Sequence, residues 1–202
     1  LIPDGACLQM GIGALPNALA VALSDHKDLG LHTEMFADGI LRLIKKGVIN
    51  GRRKKIDTGK VVASFLLGSD EVYKFIDHNP DVLMKDIKYT NDPWVISQNP
   101  CMTAINSAIE VDFTGQICAD SIGTRMFSGT GGQVDFVRGA TMSDGGKSIT
   151  VFASRTKKGM TKIVPTLKSG AGVVTPRSDA HWIVTEYGAV DLFGKSLQER
   201  AK

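Results

Sequence analysis

Apolar segments of strand length alternate with helical segments through the first half of the chain, and this order restricts the possible folds more than any single motif does. Strands are predicted at residues 6–10, 29–32 and 59–68. The last is a continuous apolar run, GKVVASFLLG, typical of a strand buried on both faces. A helix is predicted after each strand, within residues 11–23, 37–46 and 69–76. The repeated order of strand and helix predicts an α/β domain with a largely parallel sheet.

The second half of the chain has a different pattern. Residues 103–122, TAINSAIEVDFTGQICADSI, predict a β-hairpin that turns at DFTGQ. Residues 148–153 and 161–167 predict a second hairpin around RTKKGM, and HWIVTE at 181–186 predicts a strand followed by a turn at YG. Hairpins added to a parallel core make the predicted sheet partly mixed. No linker or repeat is visible, so we expect one domain over residues 1–202.

Charge and cysteine content limit the function classes. A net charge of +3 is too small to indicate nucleic-acid binding, and no apolar run approaches the ~20 residues that span a bilayer. Cys7, Cys101 and Cys118 are scattered and odd in number. They indicate a reducing compartment, either the cytoplasm or, in a eukaryote, the mitochondrial matrix. The four histidines lie far apart, so no metal site is predicted.

Two glycine turns resemble nucleotide-binding loops without matching them. In GIGALP, Pro16 occupies the position of the third glycine in the dinucleotide fingerprint, and in GTGGQV that position holds Val134. The sequence GKS occurs twice, at residues 146–148 and 194–196. Neither occurrence has the earlier glycine that a P-loop requires. On spacing alone, tight connections between strands and helices explain these turns best.

One carboxylate, Glu34 in LGLHTEMFADG, has two explanations. It lies just before a predicted helix, where the helix dipole would stabilise a carboxylate by ~0.3–1 kcal/mol. It also follows a predicted strand, and ligand sites in α/β sheets lie beyond the carboxyl ends of strands. A glutamate there can act as a base, an acid or a covalent nucleophile. Local sequence leaves both explanations open.

Five ordered motifs together carry a family resemblance. They are LQMGIGALPNAL, LGLHTEMFADG, INSAIEVDFTGQ, SGTGGQVDFVRGA and IVTEYGAVDLFGKSLQERA. In this order they resemble the C-terminal catalytic domain of the acetyl-CoA hydrolase/transferase family of class I CoA-transferases, in particular the 4-hydroxybutyrate and butyrate:acetate types. The resemblance implies a three-layer α/β/α fold. It also implies that residues 1–202 are a fragment that lacks the N-terminal domain and the C-terminal end.

The resemblance also implies the site residues. Glu34 matches the catalytic glutamate, and Gly132 matches the residue whose main-chain N–H forms the oxyanion site. Matches to substrate-binding or CoA-binding positions are Gln9, Gly11, Gly13, Asn106, Ser128, Gly131, Gln133 and Lys158. Lys157 is adjacent to Lys158 and is an alternative for the lysine that holds the CoA phosphates.

The implied reaction transfers CoA between an acyl-CoA and a short-chain carboxylate such as acetate, through a glutamyl-CoA thioester. The expected partners are these two substrates, the N-terminal domain of the same chain and a second copy in a homodimer. Neither nucleic acid nor a membrane is expected. Coenzyme A enters as a substrate, and no permanently bound cofactor is expected. An acyl-CoA hydrolase that uses the same Glu34 is the first alternative, and a non-catalytic ligand sensor is the second.

Overall fold

The computed structural model describes residues 1–11 and 15–202. Its strands are β1 (Cys7–Met10), β2 (Gly30–His32), β3 (Met35–Phe36), β4 (Val61–Ala63), β5 (Phe65–Leu66), β6 (Val82–Met84), β7 (Thr103–Asn106), β8 (Glu110–Asp112), β9 (Ile117–Cys118), β10 (Ser121–Ile122), β11 (Arg125–Met126), β12 (Lys147–Val151), β13 (Ile163–Val164), β14 (Trp182–Thr185) and β15 (Gly188–Asp191). Its helices are α1 (Leu15–Ala22), α2 (Asp38–Lys45), α3 (Asp70–Ile76), α4 (Ile87–Thr90), α5 (Pro93–Ser97), α6 (Gln133–Met142) and α7 (Leu197–Arg200). In this part of the chain, no helix is both long enough and apolar enough to cross a membrane.

An eight-stranded sheet forms the centre of the molecule, in the order β15-β14-β12-β7-β1-β2-β4-β6. Its strands are parallel except for β15, which returns from β14 at the edge as an antiparallel partner. The α/β class and the mostly parallel, partly mixed sheet are therefore confirmed. The hairpin of β14 and β15 places the turn at residues 186–187, where the YG motif predicted one.

The apolar side chains of β1 point alternately to the two faces of the sheet, and this explains why helices cover both faces. Leu8 and Met10 pack into one apolar cluster, which includes Phe36 and Ile40 from the β3–α2 side. Cys7, which faces the other way, packs into a second cluster with Ile96, Met102 and Phe136, so that α5 and α6 lie on that side. Successive strand residues point to opposite faces, and burial of both faces produces three layers. The expected α/β/α architecture is confirmed.

The run at residues 59–68 is not one strand, as predicted, but two. β4 is buried in the central sheet, whereas β5 leaves that sheet and pairs in parallel with β3. The change occurs at Ser64, because the main-chain N–H groups of Ser64 and Phe65 both donate to the carbonyl oxygen of Glu34, at 2.9 and 3.1 Å. A pattern of apolar residues reports burial and cannot show that a strand changes partner.

Both hairpin predictions in the second half need correction. The first hairpin is shorter than predicted: β7 belongs to the central sheet, and only β8 and β9 pair antiparallel around the turn. The second hairpin is wrong. β12 lies in parallel between β7 and β14, and β13 pairs with β8 in a separate sheet. Of the antiparallel pairing expected for the second hairpin, the described residues show one bridge, between Arg155 and Thr161.

Candidate active site

Three strands end at one edge of the sheet and bring three predicted residues together. Gln9 is the third residue of β1, Asn106 is the last residue of β7, and Glu34 follows β2 by two residues. Because β1 pairs in parallel with both β2 and β7, the carboxyl ends of all three strands meet. This is the edge at which α/β sheets place their ligands.

The helix-start explanation for Glu34 is wrong. β3 lies between Glu34 and α2, and the acidic residue in the first turn of that helix is Asp38. Glu34 is instead held by its main chain, since its carbonyl oxygen accepts the two hydrogen bonds from Ser64 and Phe65. Its half-buried side chain accepts a hydrogen bond of 3.1 Å at Oε2 from the main-chain N–H of Gly132.

Gly132 is the N-cap of α6, so the carboxylate of Glu34 faces the amino end of a ten-residue helix. Helix N-termini carry partial positive charge and main-chain N–H groups without partners inside the helix, and both favour an anion. No side chain fits at this position. A Cβ on Gly132 would lie 2.1 Å from Nδ2 of Asn91 and 2.7 Å from Oε2 of Glu34. The preceding Gly131 has a φ of +57°, which also favours glycine.

Gln9 and Asn106 form a closed pair of amides. Nε2 of Gln9 donates to Oδ1 of Asn106, and Nδ2 of Asn106 donates to Oε1 of Gln9, each at 3.2 Å. Both residues are buried, with exposed fractions of 4% and 5%. Gly11 packs against this pair, since a Cβ on it would lie 2.9 Å from Oδ1 of Asn106. The close approach of the main chain gives the first glycine of the GIGALP turn a structural reason.

These groups line one cavity of about 460 Å³. Its walls contain eight of the ten predicted site residues: Gln9, Gly11, Glu34, Asn106, Ser128, Gly131, Gly132 and Gln133. Apolar side chains, including those of Met10, Met35, Phe65 and Ile109, complete the wall. Among the described residues that line this cavity, Glu34 has the only ionisable side chain. The cavity therefore offers one carboxylate, neutral amides and apolar surface.

Gln133 lines this cavity with its side-chain amide already engaged. Nε2 donates to Oγ1 of Thr175 at 3.1 Å, so the amide ties the start of α6 to the segment that follows β13. The remaining two predicted site residues are Gly13 and Lys158. Gly13 lies outside the described residues. Lys158 is exposed in the turn after β12 and does not belong to the described residues that line the cavity.

A second, more open cavity of about 470 Å³ lies on the other side of Glu34. Glu34, Gly131 and Gly132 line both cavities, and Asn91, Lys88 and Asp135 belong to the second alone. Burial raises the pKa of Asp135, and the neighbouring Arg138 partly opposes this shift.

The sequence analysis predicted none of the residues that belong to the second cavity alone. Asn91 is followed by Asp92 and Pro93, and Asn-Asp-Pro is typical of a helix start, which α5 confirms.

His32 connects α4, which lines the second cavity, to the central sheet. It is fully buried at the end of β2, and its Nε2–H donates to the carbonyl oxygen of Thr90 at 2.9 Å, joining α4 to β2. The burial lowers the pKa of His32 to about 4, so the imidazole is neutral at physiological pH. Thr90 Oγ1 in turn contacts Oγ of Ser64 and donates to Oδ1 of Asn91 at 3.0 Å.

Comparison with known proteins identifies the family. A model of the acetyl-CoA hydrolase/transferase C-terminal domain matches residues 68–202. The match includes Asn106 and the Gly131–Gly132 segment, and begins after Glu34.

Two curated relatives match over the full length of the chain. One is a succinyl-CoA:acetate/propanoyl-CoA:succinate CoA transferase from Fasciola hepatica, 55% identical over 100% of this chain and 42% of the relative. The other is a 4-hydroxybutyrate coenzyme A transferase from Clostridium kluyveri, 47% identical over 100% of this chain and 47% of the relative. The chain therefore spans less than half the length of these relatives.

A solved structure shows the same fold. The crystal structure of RipA from Yersinia pestis is 44% identical and superimposes with a TM-score of 0.94, over 99% of this chain and 45% of that one.

Proposed function

The chain belongs to the acetyl-CoA hydrolase/transferase family, and we propose that it carries the catalytic glutamate of a CoA-transferase acting between an acyl-CoA and a short-chain carboxylate such as acetate. One observation supports this most directly. Glu34, the only ionisable side chain among the described residues of the 460 Å³ cavity, accepts a hydrogen bond from the main-chain N–H of Gly132. A carboxylate beside a fixed N–H donor suits a nucleophile whose carbonyl oxygen becomes an oxyanion.

The proposed reaction has two matching halves. The Glu34 carboxylate adds to the thioester carbonyl of the acyl-CoA, and the C–S bond breaks to give a mixed anhydride and CoA thiolate. The thiolate then adds to the glutamyl carbonyl, and the acyl carboxylate leaves, so that Glu34 holds a glutamyl-CoA thioester. The acceptor carboxylate reverses these steps. The energy of the thioester is kept, and no ATP is consumed.

Neutral donors suit this chemistry better than cations. An N–H group such as that of Gly132 stabilises an oxyanion by about 3–4 kcal/mol when it is fixed in position. The amides of Gln9 and Asn106 can orient a carboxylate without adding charge. An arginine or lysine in their place would stabilise Glu34 as an anion and make it a poorer nucleophile.

The walls of the cavity support a small acid with an aliphatic chain. Met10, Met35, Phe65 and Ile109 offer apolar contacts to an acyl chain beside the reacting carboxyl group. Both curated relatives described above are named for short acids, among them acetate, propanoate, succinate and 4-hydroxybutyrate. A short monocarboxylate is the acceptor we propose.

The rest of the CoA molecule lies outside this cavity in our proposal. Lys158 is exposed and free to meet a phosphate group at the surface. Coenzyme A is a substrate rather than a resident cofactor. Because the relatives are about twice as long, we propose that a further domain of the same protein covers the cavity and excludes water. We propose a homodimer as the assembly.

Three free thiols, two of them buried, support a reducing compartment such as the cytoplasm.

The test is chemical trapping in the intact protein. After incubation with acyl-CoA and treatment with borohydride or hydroxylamine, peptide mass spectrometry is expected to find the modification on Glu34. Glu34→Gln is expected to remove it, and Glu71→Gln, at an exposed glutamate of α3, is the matched control. Modification of another residue would overturn the proposal. Acyl transfer to added acetate separates a transferase from a hydrolase, which releases free acid whether acetate is present or absent.

A further inference from the structure

Ser64 lies where β4 ends and β5 begins, and it joins the segment of Glu34 to a helix. Its main-chain N–H donates to the carbonyl oxygen of Glu34 at 2.9 Å, and the N–H of Phe65 donates to the same oxygen at 3.1 Å. The side chain of Ser64 is half-buried, and its Oγ forms a hydrogen bond with Oγ1 of Thr90, the last residue of α4. The helix α4 lines the second cavity. One residue therefore connects the glutamate segment to a wall of the site.

The direction of the hydrogen bond between Ser64 and Thr90 follows from the hydrogens available. The hydroxyl of Thr90 carries one hydrogen, and its Oγ1 lies 3.0 Å from Oδ1 of Asn91 and 3.4 Å from the carbonyl oxygen of Asp86. Both of these oxygens can only accept, so the hydrogen of Thr90 points to one of them, and the shorter distance favours Asn91. Oγ of Ser64 therefore donates its own hydrogen to Thr90.

Four residues close a ring of contacts around the glutamate: His32, Thr90, Ser64 and Glu34 itself. His32 comes two residues before Glu34, is fully buried, and donates from Nε2–H to the carbonyl oxygen of Thr90 at 2.9 Å. The ring continues through the hydroxyls of Thr90 and Ser64, and the main-chain N–H of Ser64 returns it to Glu34. The segment of Glu34 is therefore connected to α4 at two points. Supporting hydrogen bonds of this kind hold a reactive group within about 0.5 Å of its working position.

The side of the glutamate segment that faces β1 and β4 is held by other bonds. Thr33 is fully buried, and its main-chain N–H donates to the carbonyl oxygen of Val62 in β4 at 3.0 Å. Its Oγ1 accepts a hydrogen bond of 3.4 Å from the main-chain N–H of Met10 in β1. These bonds fix the segment to the central sheet, and neither of them reaches α4. The distance between the glutamate and α4 is therefore left to the ring.

We propose that Ser64 is a positioning residue for Glu34: its hydroxyl holds the glutamate segment at a fixed distance from α4. This role rests on the function proposed above. The carboxylate of Glu34 must reach a thioester carbonyl that other walls of the site hold in place. A displacement of about 1 Å lowers the rate of such a step by about 10²-fold. Ser64 acts through the main chain of Glu34 and takes no part in making or breaking bonds.

The alternative is that the hydroxyl of Ser64 only stabilises the fold. Ser64→Ala separates the two roles, because it removes the hydroxyl and keeps the main-chain N–H that donates to Glu34. A purely structural hydroxyl would raise the melting temperature of the wild type above that of the variant and leave kcat unchanged. Loss of a positioning hydroxyl would lower kcat with the KM for acyl-CoA nearly unchanged, because the substrate contacts remain while the nucleophile is displaced.

The experiment measures kcat, KM and the melting temperature of the intact protein for Ser64→Ala, Ser64→Thr and a matched control, Ser143→Ala. The hydroxyl of Ser143 also joins two elements, since it donates to the carbonyl oxygen of Asn99 at 2.6 Å. Ser143 is the C-cap of α6, at the opposite end of this helix from Gly132. Its substitution is expected to lower the melting temperature and to keep the wild-type kcat.

The proposal predicts different results for the two variants at Ser64. We expect Ser64→Ala to lower kcat by about 10–10²-fold. Ser64→Thr keeps the hydroxyl and is expected to keep kcat within about threefold of wild type. If Ser64→Ala also keeps kcat within about threefold of wild type, or if Ser64→Thr loses as much as Ser64→Ala, the proposal is overturned.

Two further variants keep the test decisive if Ser64→Ala folds poorly. Ser64→Cys replaces the hydroxyl with a weak donor of similar size, so kcat is expected to fall. Thr90→Val removes the acceptor, and adding Ser64→Cys to it is expected to change kcat by less than about twofold, because the hydroxyl of Ser64 has already lost its partner. Equal losses from Ser64→Cys in both backgrounds would overturn the proposal. Trapping of the wild-type protein on Glu34 tests the proposed function separately.

Discussion

The main-chain N–H of Gly132 donates a hydrogen bond of 3.1 Å to Oε2 of Glu34, across 98 residues of sequence. This bond joins the segment after β2 to the N-cap of α6, and both of its residues line the two cavities of the site. Gln9 and Asn106 line one of these cavities with them, and Asn91 lines the other.

The contact at Gly132 predicts a large loss of activity for Gly132→Ala. The added methyl group would overlap Nδ2 of Asn91 and press on Oε2 of Glu34, so the N–H donor and the carboxylate must separate. We expect kcat to fall by about 10²–10³-fold, measured as acyl transfer by the intact protein. Gly129→Ala is the matched control, because a Cβ there meets no atom within 4 Å. Equal losses in both variants would show that the loop, and not this contact, is responsible.

The amide pair predicts strong coupling between Gln9 and Asn106. Either single alanine substitution leaves a buried amide without its partner and is expected to cost about 1–3 kcal/mol of unfolding free energy. The double variant is expected to lose less than the sum of the two, with a coupling of about 0.5–3 kcal/mol in a urea-unfolding cycle. The exposed pair of Lys60 and Asp81 is the comparison, with an expected coupling below about 1 kcal/mol. Additive effects at Gln9 and Asn106 would contradict the closed pair.

His32 predicts a loss of stability in acid. Its pKa is about 4 in the folded protein against 6.5 for an ordinary histidine, because burial disfavours the charged form. Between these values the unfolded chain binds a proton that the folded chain does not, so stability is complete above pH 6.5 and falls as the pH approaches 4. The expected loss from this group is about 3 kcal/mol in unfolding free energy.

Substitution of the imidazole tests this dependence on pH. His32→Gln keeps an N–H donor for the carbonyl oxygen of Thr90 and removes the titration, so its unfolding free energy is expected to change less between pH 7 and pH 4 than that of wild type. His78→Asn, at a side chain that is 94% exposed, is expected to keep the wild-type dependence. A wild-type slope in His32→Gln would assign the acid sensitivity to other groups.

Lys158, in the exposed turn after β12, is predicted to affect the binding of acyl-CoA and not the rate of the chemical step. If Lys158 meets a CoA phosphate, Lys158→Ala is expected to raise the KM for acyl-CoA by about 2–5-fold, as for an exposed ion pair, with kcat unchanged. An acyl-pantetheine substrate, which lacks the nucleotide phosphates, is expected to show no change. Lys157→Ala is the matched variant, and a larger effect there would assign the contact to Lys157.

Several parts of the site were accessible from sequence because they depend on local pattern. Gln9 and Asn106 lie in apolar runs that predict strands, and Glu34 follows a third. Parallel strands end at one edge, so the strand pattern indicated that edge as the location of Glu34. The family resemblance added Gln9, Asn106 and Gly132. Asn91 had no such signal, because Asn-Asp-Pro is explained by the helix that follows.

Sequence by itself determined β1, β2, α2 and α3, the α/β class and Glu34 as a candidate, because periodicity and the end of a strand are properties of neighbouring residues. Tertiary structure decided which strands pair, where residues 59–68 divide, and why Glu34 does not start a helix. It also decided that Gly132 must be glycine, since the atoms that exclude a Cβ come from Asn91 and Glu34. Contacts between groups 41 and 98 residues away from Gly132 depend on packing, and no local pattern specifies them.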